Sequence, residues 1–302
     1  MSVEEIDLKS ETEKPDTEAP AGNLTAAELL DRALKAKEEE IIPWDDAQLP
    51  SEGEYYSAFT DGMVQVRPMS IHAEKMMATQ RFAKSGKSID MLFKQCCQLP
   101  EEFDTLDLLA GDRVFLLYFI RGITHGNIYE FTLECPHEGC NDTNTYSYDL
   151  NDLYETVQGP AFDLGDEPFK VVLPHMSKIF GQEFWVKVRF MRGRDMQKML
   201  QRQQFDRKMR GGRINHKMDS VDQTLEENIN IVIEDVMGDR DRIKIQQIVK
   251  KLHALDTSAI REFLRKNSPG IDTNVKLDCP SCGELISIDL PITESFFRPT
   301  VQ

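Results

Sequence analysis

Four of the six cysteines in this 302-residue chain fall into two short pairs, Cys135-Pro136-His137-Glu138-Gly139-Cys140 and Cys279-Pro280-Ser281-Cys282-Gly283. An alternating stretch precedes each pair (Tyr129–Glu134, Val275–Asp278) and another follows (Tyr146–Leu150, Leu285–Leu290). Strand, tight turn and return strand make a knuckle whose turn aims both sulfurs at one point. Gly139 or Gly283 supplies the backbone freedom such a turn demands. One knuckle offers two thiolates, whereas tetrahedral zinc takes four ligands at about 2.3 Å. Cys135, Cys140, Cys279 and Cys282 are therefore expected to share one structural zinc ion. Four sulfurs close the coordination sphere, leaving no position for a reactive water. The metal would staple segments of chain rather than act on a substrate.

Three other readings compete for the same residues. Cys279-Pro280-Ser281-Cys282 also has the spacing of a redox pair, but that chemistry wants a helix directly afterwards to lower the thiol pKa, and here a strand pattern follows. His137 could replace a cysteine as ligand; with four sulfurs present it is expected outside the coordination sphere. A purely structural fold that has lost its metal is the third. Cys96 and Cys97 close the apolar run from Ile89 and read as small buried hydrophobes. The remaining histidines are scattered, and the sequence has no Gly-rich phosphate loop, nucleophile elbow or helix-borne His pair. The expectation is that the chain is not an enzyme.

The elements that must position these cysteines read as a tandem duplication. Met63–Met69 is an alternating strand leading into a helix, Ser70–Lys84; Trp185–Met191 is another, leading into Arg194–Arg210. Further along, Asp112–Pro136 aligns without a gap on Asp256–Pro280 at an offset of 144 residues, with seven identities in 25 positions: Asp112, Phe119, Arg121, Gly126, Leu133, Cys135 and Pro136. Each unit reads as strand, helix, helical pair and cysteine hairpin. The middle helices are expected at Ser88–Gln98 and Asp104–Arg121, then at Val221–Met237 and Ile243–Lys266 with a break near Asp256. The expected fold class is α+β and mostly helical, with duplicated strand–helix units (60–158 and 168–297) joined through a four-cysteine, zinc-ribbon-like pair of hairpins.

Ahead of these units, residues 1–22 are acidic and nearly free of large apolar groups, and are expected to be disordered. Residues 23–50 read as an amphipathic helix, Thr25–Glu40, with capping-box spacing at Thr25 and Glu28 and an apolar stripe of Leu29, Leu30, Ala33 and Leu34. A Pro- and Asp-containing linker, Pro43–Pro50, follows. There is no apolar run long enough to cross a membrane and no secretory signal, so the cysteines are expected in a reducing compartment.

The formal net charge of −16 argues against a general nucleic-acid binder. Charge is uneven, however: residues 1–50 hold 14 Asp and Glu against five Lys and Arg, while Lys187–Lys217 holds 11 Lys and Arg against Asp195 and Asp206. That basic stretch is either a solvated helix face or a docking surface for an acidic segment, such as the chain's own N-terminus.

Leu109-Ala110-Gly111-Asp112-Arg113, Ile120-Arg121, Thr124, Gly126, the Cys135–Cys140 pair and Cys279-Pro280-Ser281-Cys282-Gly283 together resemble the baseplate hub and hub-assembly proteins of T-even-like contractile-tailed phages. The likeness covers about residues 60–297. It implies a structural or assembly subunit of a phage tail baseplate, in contact with other tail proteins, present in the host cytoplasm during assembly and in the virion. The competing function is a zinc-ribbon nucleic-acid-binding regulator using the basic 187–217 segment.

Overall fold

The computed structural model describes residues 25–37, 41–58, 60–77, 87–161, 165–209 and 226–299. The chain divides into two compact units, residues 1–41 and 42–302. The smaller holds helix α1 (Ala26–Lys35), capped as its sequence requires. The Thr25 N–H donates to Glu28 Oε2 at 2.8 Å, and the Thr25 hydroxyl oxygen accepts from the Glu28 N–H at 3.4 Å. Leu29, Leu30 and Leu34 are exposed on it. The disorder expected of residues 1–22 falls outside the described residues, as do residues 38–40 of the expected helix.

The larger unit opens with a three-stranded antiparallel sheet in sequential order: β1 (Asp45–Gln48), β2 (Met63–Val66) and β3 (Cys97–Gln98). Strand alternation sets its faces, with Val64 and Val66 buried and Met63 and Gln65 exposed. Helices α2 (Ile71–Met77) and α3 (Lys87–Cys96) lie between β2 and β3. Two expectations are corrected here. Residues 43–50 are not a plain linker, because Ala47 and Leu49 enter the core and β1 pairs along β2. The third helix stops at Cys96 rather than Gln98, because Cys97 and Gln98 pair with Val66 and Gln65.

A 3₁₀ turn (Thr105–Asp107) leads into α4 (Ala110–His125), which buries Phe115, Leu116, Leu117, Tyr118 and Ile120 together with Asp112, Arg113 and Arg121. Gly126, at φ 84°, ends it and turns the chain into the hairpin β4 (Ile128–Glu134) and β5 (Thr143–Asp149), followed by α5 (Asn151–Tyr154).

A second three-stranded antiparallel sheet, also in sequential order, contains β6 (Phe169–Val172), β7 (Trp185–Val188) and β8 (Ile233–Val236). Helix α6 (Pro174–Phe180) joins β6 to β7; α7 (Gly193–Met209) and helical residues 226–232 lie between β7 and β8. The helix expected over Val221–Met237 is therefore corrected at its end. Ile233 and Val236 are β-branched and buried, and pairing with β7 overrides helix continuation. Then come α8 (Arg242–Val249), α9 (Ala254–Asn267), the hairpin β9 (Asn274–Asp278) and β10 (Leu285–Asp289), and α10 (Glu294–Phe297). The break expected near Asp256 falls at residues 250–253, where His253 Nδ1 accepts from the Leu255 N–H at 3.2 Å and caps α9. The expected far ends of two helices, residues 78–84 and residue 210, lie outside the described residues.

Segments from the two halves of this unit also meet directly. The Ala110 N–H donates to Met191 O at 2.8 Å, the Gly193 N–H donates to Leu108 O at 2.9 Å, and Gln158 and Gly270 exchange two backbone hydrogen bonds. Gly111 packs so closely that a Cβ there would lie 1.9 Å from Pro269 O. Among the described residues, no helix is long and apolar enough to cross a membrane.

Candidate metal centre

Each hairpin ends in a turn closed by its own backbone. In the first, the Cys135 N–H donates to Asp142 O at 2.9 Å and the Cys140 N–H to His137 O at 3.1 Å. In the second, the Cys279 N–H donates to Glu284 O at 2.9 Å and the Gly283 N–H to Cys279 O at 2.8 Å. Gly139 (φ 90°) and Gly283 (φ 74°) take left-handed conformations that glycine adopts without a Cβ penalty.

The two tips converge. Cys135 Sγ lies 3.8 Å from Cys282 Sγ, and Cys140 Sγ lies 3.9 Å from Cys279 Sγ. All four sulfurs fall within 4.8 Å of one another. Four thiolates at about 2.3 Å from a tetrahedral ion stand about 3.8 Å apart, so the quartet has the spacing of one coordination sphere. It does not have the roughly 2.05 Å spacing of a disulfide. Both of these contacts run between hairpins. Cys135 and Cys279 are buried, whereas Cys282 is exposed at the rim.

Backbone amides are aimed at the sulfurs. The N–H groups of Cys282 and Ser281 pull the Cys279 thiol down to about 6. The His137 N–H acts in the same direction on Cys135, but burial and the adjacent cysteines outweigh it and push that thiol up to about 12. Cys140 is likewise raised; the Asp142 N–H opposes the shift, and burial and the neighbouring sulfurs carry it. Cys279 is thus the sulfur that ionises most readily, whereas Cys135 and Cys140 hold their protons more firmly, and a divalent cation is the natural counter-charge for a fully ionised set.

Two side chains touch the quartet from outside. His137 Nδ1 lies 3.3 Å from Cys135 Sγ, beside the cluster rather than among the converging atoms. Asn144, on β5, donates through Nδ2 to Cys279 Sγ at 3.6 Å and accepts through Oδ1 from the Ser281 hydroxyl at 3.3 Å. The sequence offered no signal for Asn144, since a lone polar residue on a hairpin strand has no spacing to mark it.

The other candidate residues are used structurally. Cys96 and Cys97 are buried. His175 and His253, distant in sequence, stack with ring centroids 4.2 Å apart. The described part of the basic stretch is largely engaged with carboxylates: Arg189 with Asp195 and Glu234, Arg192 with Glu167, Arg194 with Asp104 and Asp107, Arg202 with Glu227. These pairs leave fewer cations for phosphate than the sequence count implies; residues 210–217 lie outside the described residues. Phe296 is fully buried against Tyr118 and Tyr129.

A family model described as T4 bacteriophage base plate protein matches residues 46–298. No curated protein and no solved structure matches the chain significantly.

Proposed function

We propose that this chain, which belongs to the T4 bacteriophage base plate protein family, is a structural or assembly subunit of the baseplate hub, held together by one zinc ion bound to Cys135, Cys140, Cys279 and Cys282. Family membership supports a structural component of the phage tail that works by contact with other tail proteins. The observation that carries the metal is the convergence of four sulfurs, from hairpins about 140 residues apart, at the edge length of a thiolate tetrahedron. Zinc is the ion of choice for a closed four-thiolate site, and its role there is to stabilise the junction of the hairpins. Assembly in the host cytoplasm, a non-enzymatic role and docking of the acidic N-terminal segment belong to the same reading.

A tandem duplication accounts for this architecture. Each half carries a three-stranded sheet in sequential order, then helices, then a cysteine hairpin. Asp112 and Asp256, 144 residues apart, are both fully buried near the start of a helix. Asp112 accepts from the Ser51 N–H, and Asp256 accepts from the His175 N–H. Both donors directly follow a Leu-Pro dipeptide, Leu49-Pro50 and Leu173-Pro174. Two copies of one hairpin facing each other give a metal site two ligands from each copy.

The test is to remove the gene product from a phage infection. Negative-stain microscopy should then show absent or defective tails, while normal infectious particles would refute the role.

A further inference from the structure

We propose that the outer edge of β5 is a pairing surface for a second copy of this chain, which adds its own β5 antiparallel to form a continuous four-stranded sheet. The ladder geometry fixes which backbone groups are free. Cys135 pairs with Asp142 through a backbone hydrogen bond, as does Leu150 with Asn127, and the intervening register is unbroken. Hydrogen-bonded pairs alternate along an antiparallel ladder. Thr143, Thr145, Ser147 and Asp149 therefore direct their N–H and C=O groups away from β4. On the opposite edge, Ile128 O accepts from Arg121, which agrees with this phasing.

Comparison of the four hairpin edges singles out β5. The same counting on the second hairpin leaves Asn274, Lys276 and Asp278 outward on β9, and Leu285, Ser287 and Asp289 outward on β10. Charged residues on an edge discourage pairing. β4 presents Glu130 and Glu134, β9 presents Lys276 and Asp278, and β10 offers only two uncharged outward positions, Leu285 and Ser287, before Asp289. β5 presents Thr143, Thr145 and Ser147 in succession, all exposed, with no charge before Asp149 and no proline, glycine or bulge within the strand.

The occupant follows from self-complementarity. A twofold axis at Thr145 sets Thr145 against its own copy, Thr143 against Ser147 and Asp149 against Asn141, so no like charges oppose. Each of the first two pairings exchanges both N–H···O bonds, and hydroxyl-bearing pairs across strands are favourable. A two-stranded hairpin is marginal by itself, and a four-stranded sheet is not. None of the residues that form this contact supplies a sulfur to the proposed metal.

Sedimentation equilibrium of the full, metal-replete chain tests it. The wild-type protein should show a concentration-dependent dimer. Thr145→Pro removes only an outward N–H and should be monomeric, with unchanged metal content and melting temperature. Thr143→Lys and Ser147→Glu should each weaken dimerisation at least tenfold, and the double variant should restore it because the paired positions then carry opposite charges. A wild-type protein that stays monomeric at its highest soluble concentration would overturn the proposal. So would a dimer that survives Thr145→Pro, or a double variant no tighter than the singles.

Discussion

The sulfur of Cys135 lies 3.8 Å from that of Cys282, although 147 residues separate them along the chain. A contact of that sequence separation carries a loop-closure cost, one that grows only slowly with the length of the loop. The hairpins it joins are short, five to seven residues per strand. A metal holding the four sulfurs would add to the aromatic packing of Tyr129 on Phe131 and Phe296 that already anchors the first hairpin.

Replacing Cys279 with Ser should abolish tight metal binding and destabilise the hairpin junction by several kcal/mol, since structural zinc binding is coupled to folding. Thermal unfolding followed by circular dichroism, with and without a chelator, checks this. An unchanged melting curve in both cases would count against a metal at this site.

Asp112 is a second point of dependence, unrelated to the metal. Its carboxylate is fully buried and accepts from the Ser51 N–H at 3.0 Å and from the Tyr56 hydroxyl at 2.5 Å. The Tyr56 oxygen in turn accepts from the Leu109 N–H at 2.7 Å. Asp112→Ala leaves buried donors without a partner and should cost about 2–4 kcal/mol. Tyr56→Phe keeps the packing and should cost less. Urea denaturation of the two variants measures the difference, and equal losses would contradict this ordering.

Phe296 is fully buried, edge-on to Tyr118 and Tyr129 with both ring centroids at 5.1 Å. Phe296→Ala should therefore lower stability by about 3–5 kcal/mol. A loss under 1 kcal/mol would mean that the ring packs only loosely.

Mild acid should also weaken the fold. Burial and the neighbouring Arg121 hold the His125 imidazole below its ordinary value of about 6.5, and its Nε2 lies 3.1 Å from Phe297 O. The folded state thus favours neutral His125. Its contribution is complete above pH ~6.5 and is lost as pH falls below that value, because the unfolded chain takes up the proton first. The melting temperature should drop between about pH 7 and pH 5.5, less steeply in His125→Gln. Identical slopes would exclude His125 as the source.

Legibility in the sequence followed the range of the interaction. The cysteine pairs, their flanking strands and the Thr25 cap rest on local spacing, and the structure places each where that spacing puts it. β1 and β8 were misread because both are made by pairing with strands 15 or more residues away, and tertiary pairing overrode a linker-like composition in one case and a helical pattern in the other. Asn144 and the His175–His253 stack have no sequence signature, since each arises only when distant elements pack. The ion pairs of the basic stretch could not be read from composition: Arg194 has two carboxylate partners about 90 residues earlier in the chain, Asp104 and Asp107.

The most direct measurement is native mass spectrometry of the full chain purified under reducing conditions, beside a chelator-treated sample. The account requires a mass increment of one zinc ion per chain, less the protons displaced from the four thiols, and its loss in Cys279→Ser. A chain that retains the metal-free mass in zinc-supplemented buffer, or that binds zinc equally well without Cys279, would contradict it.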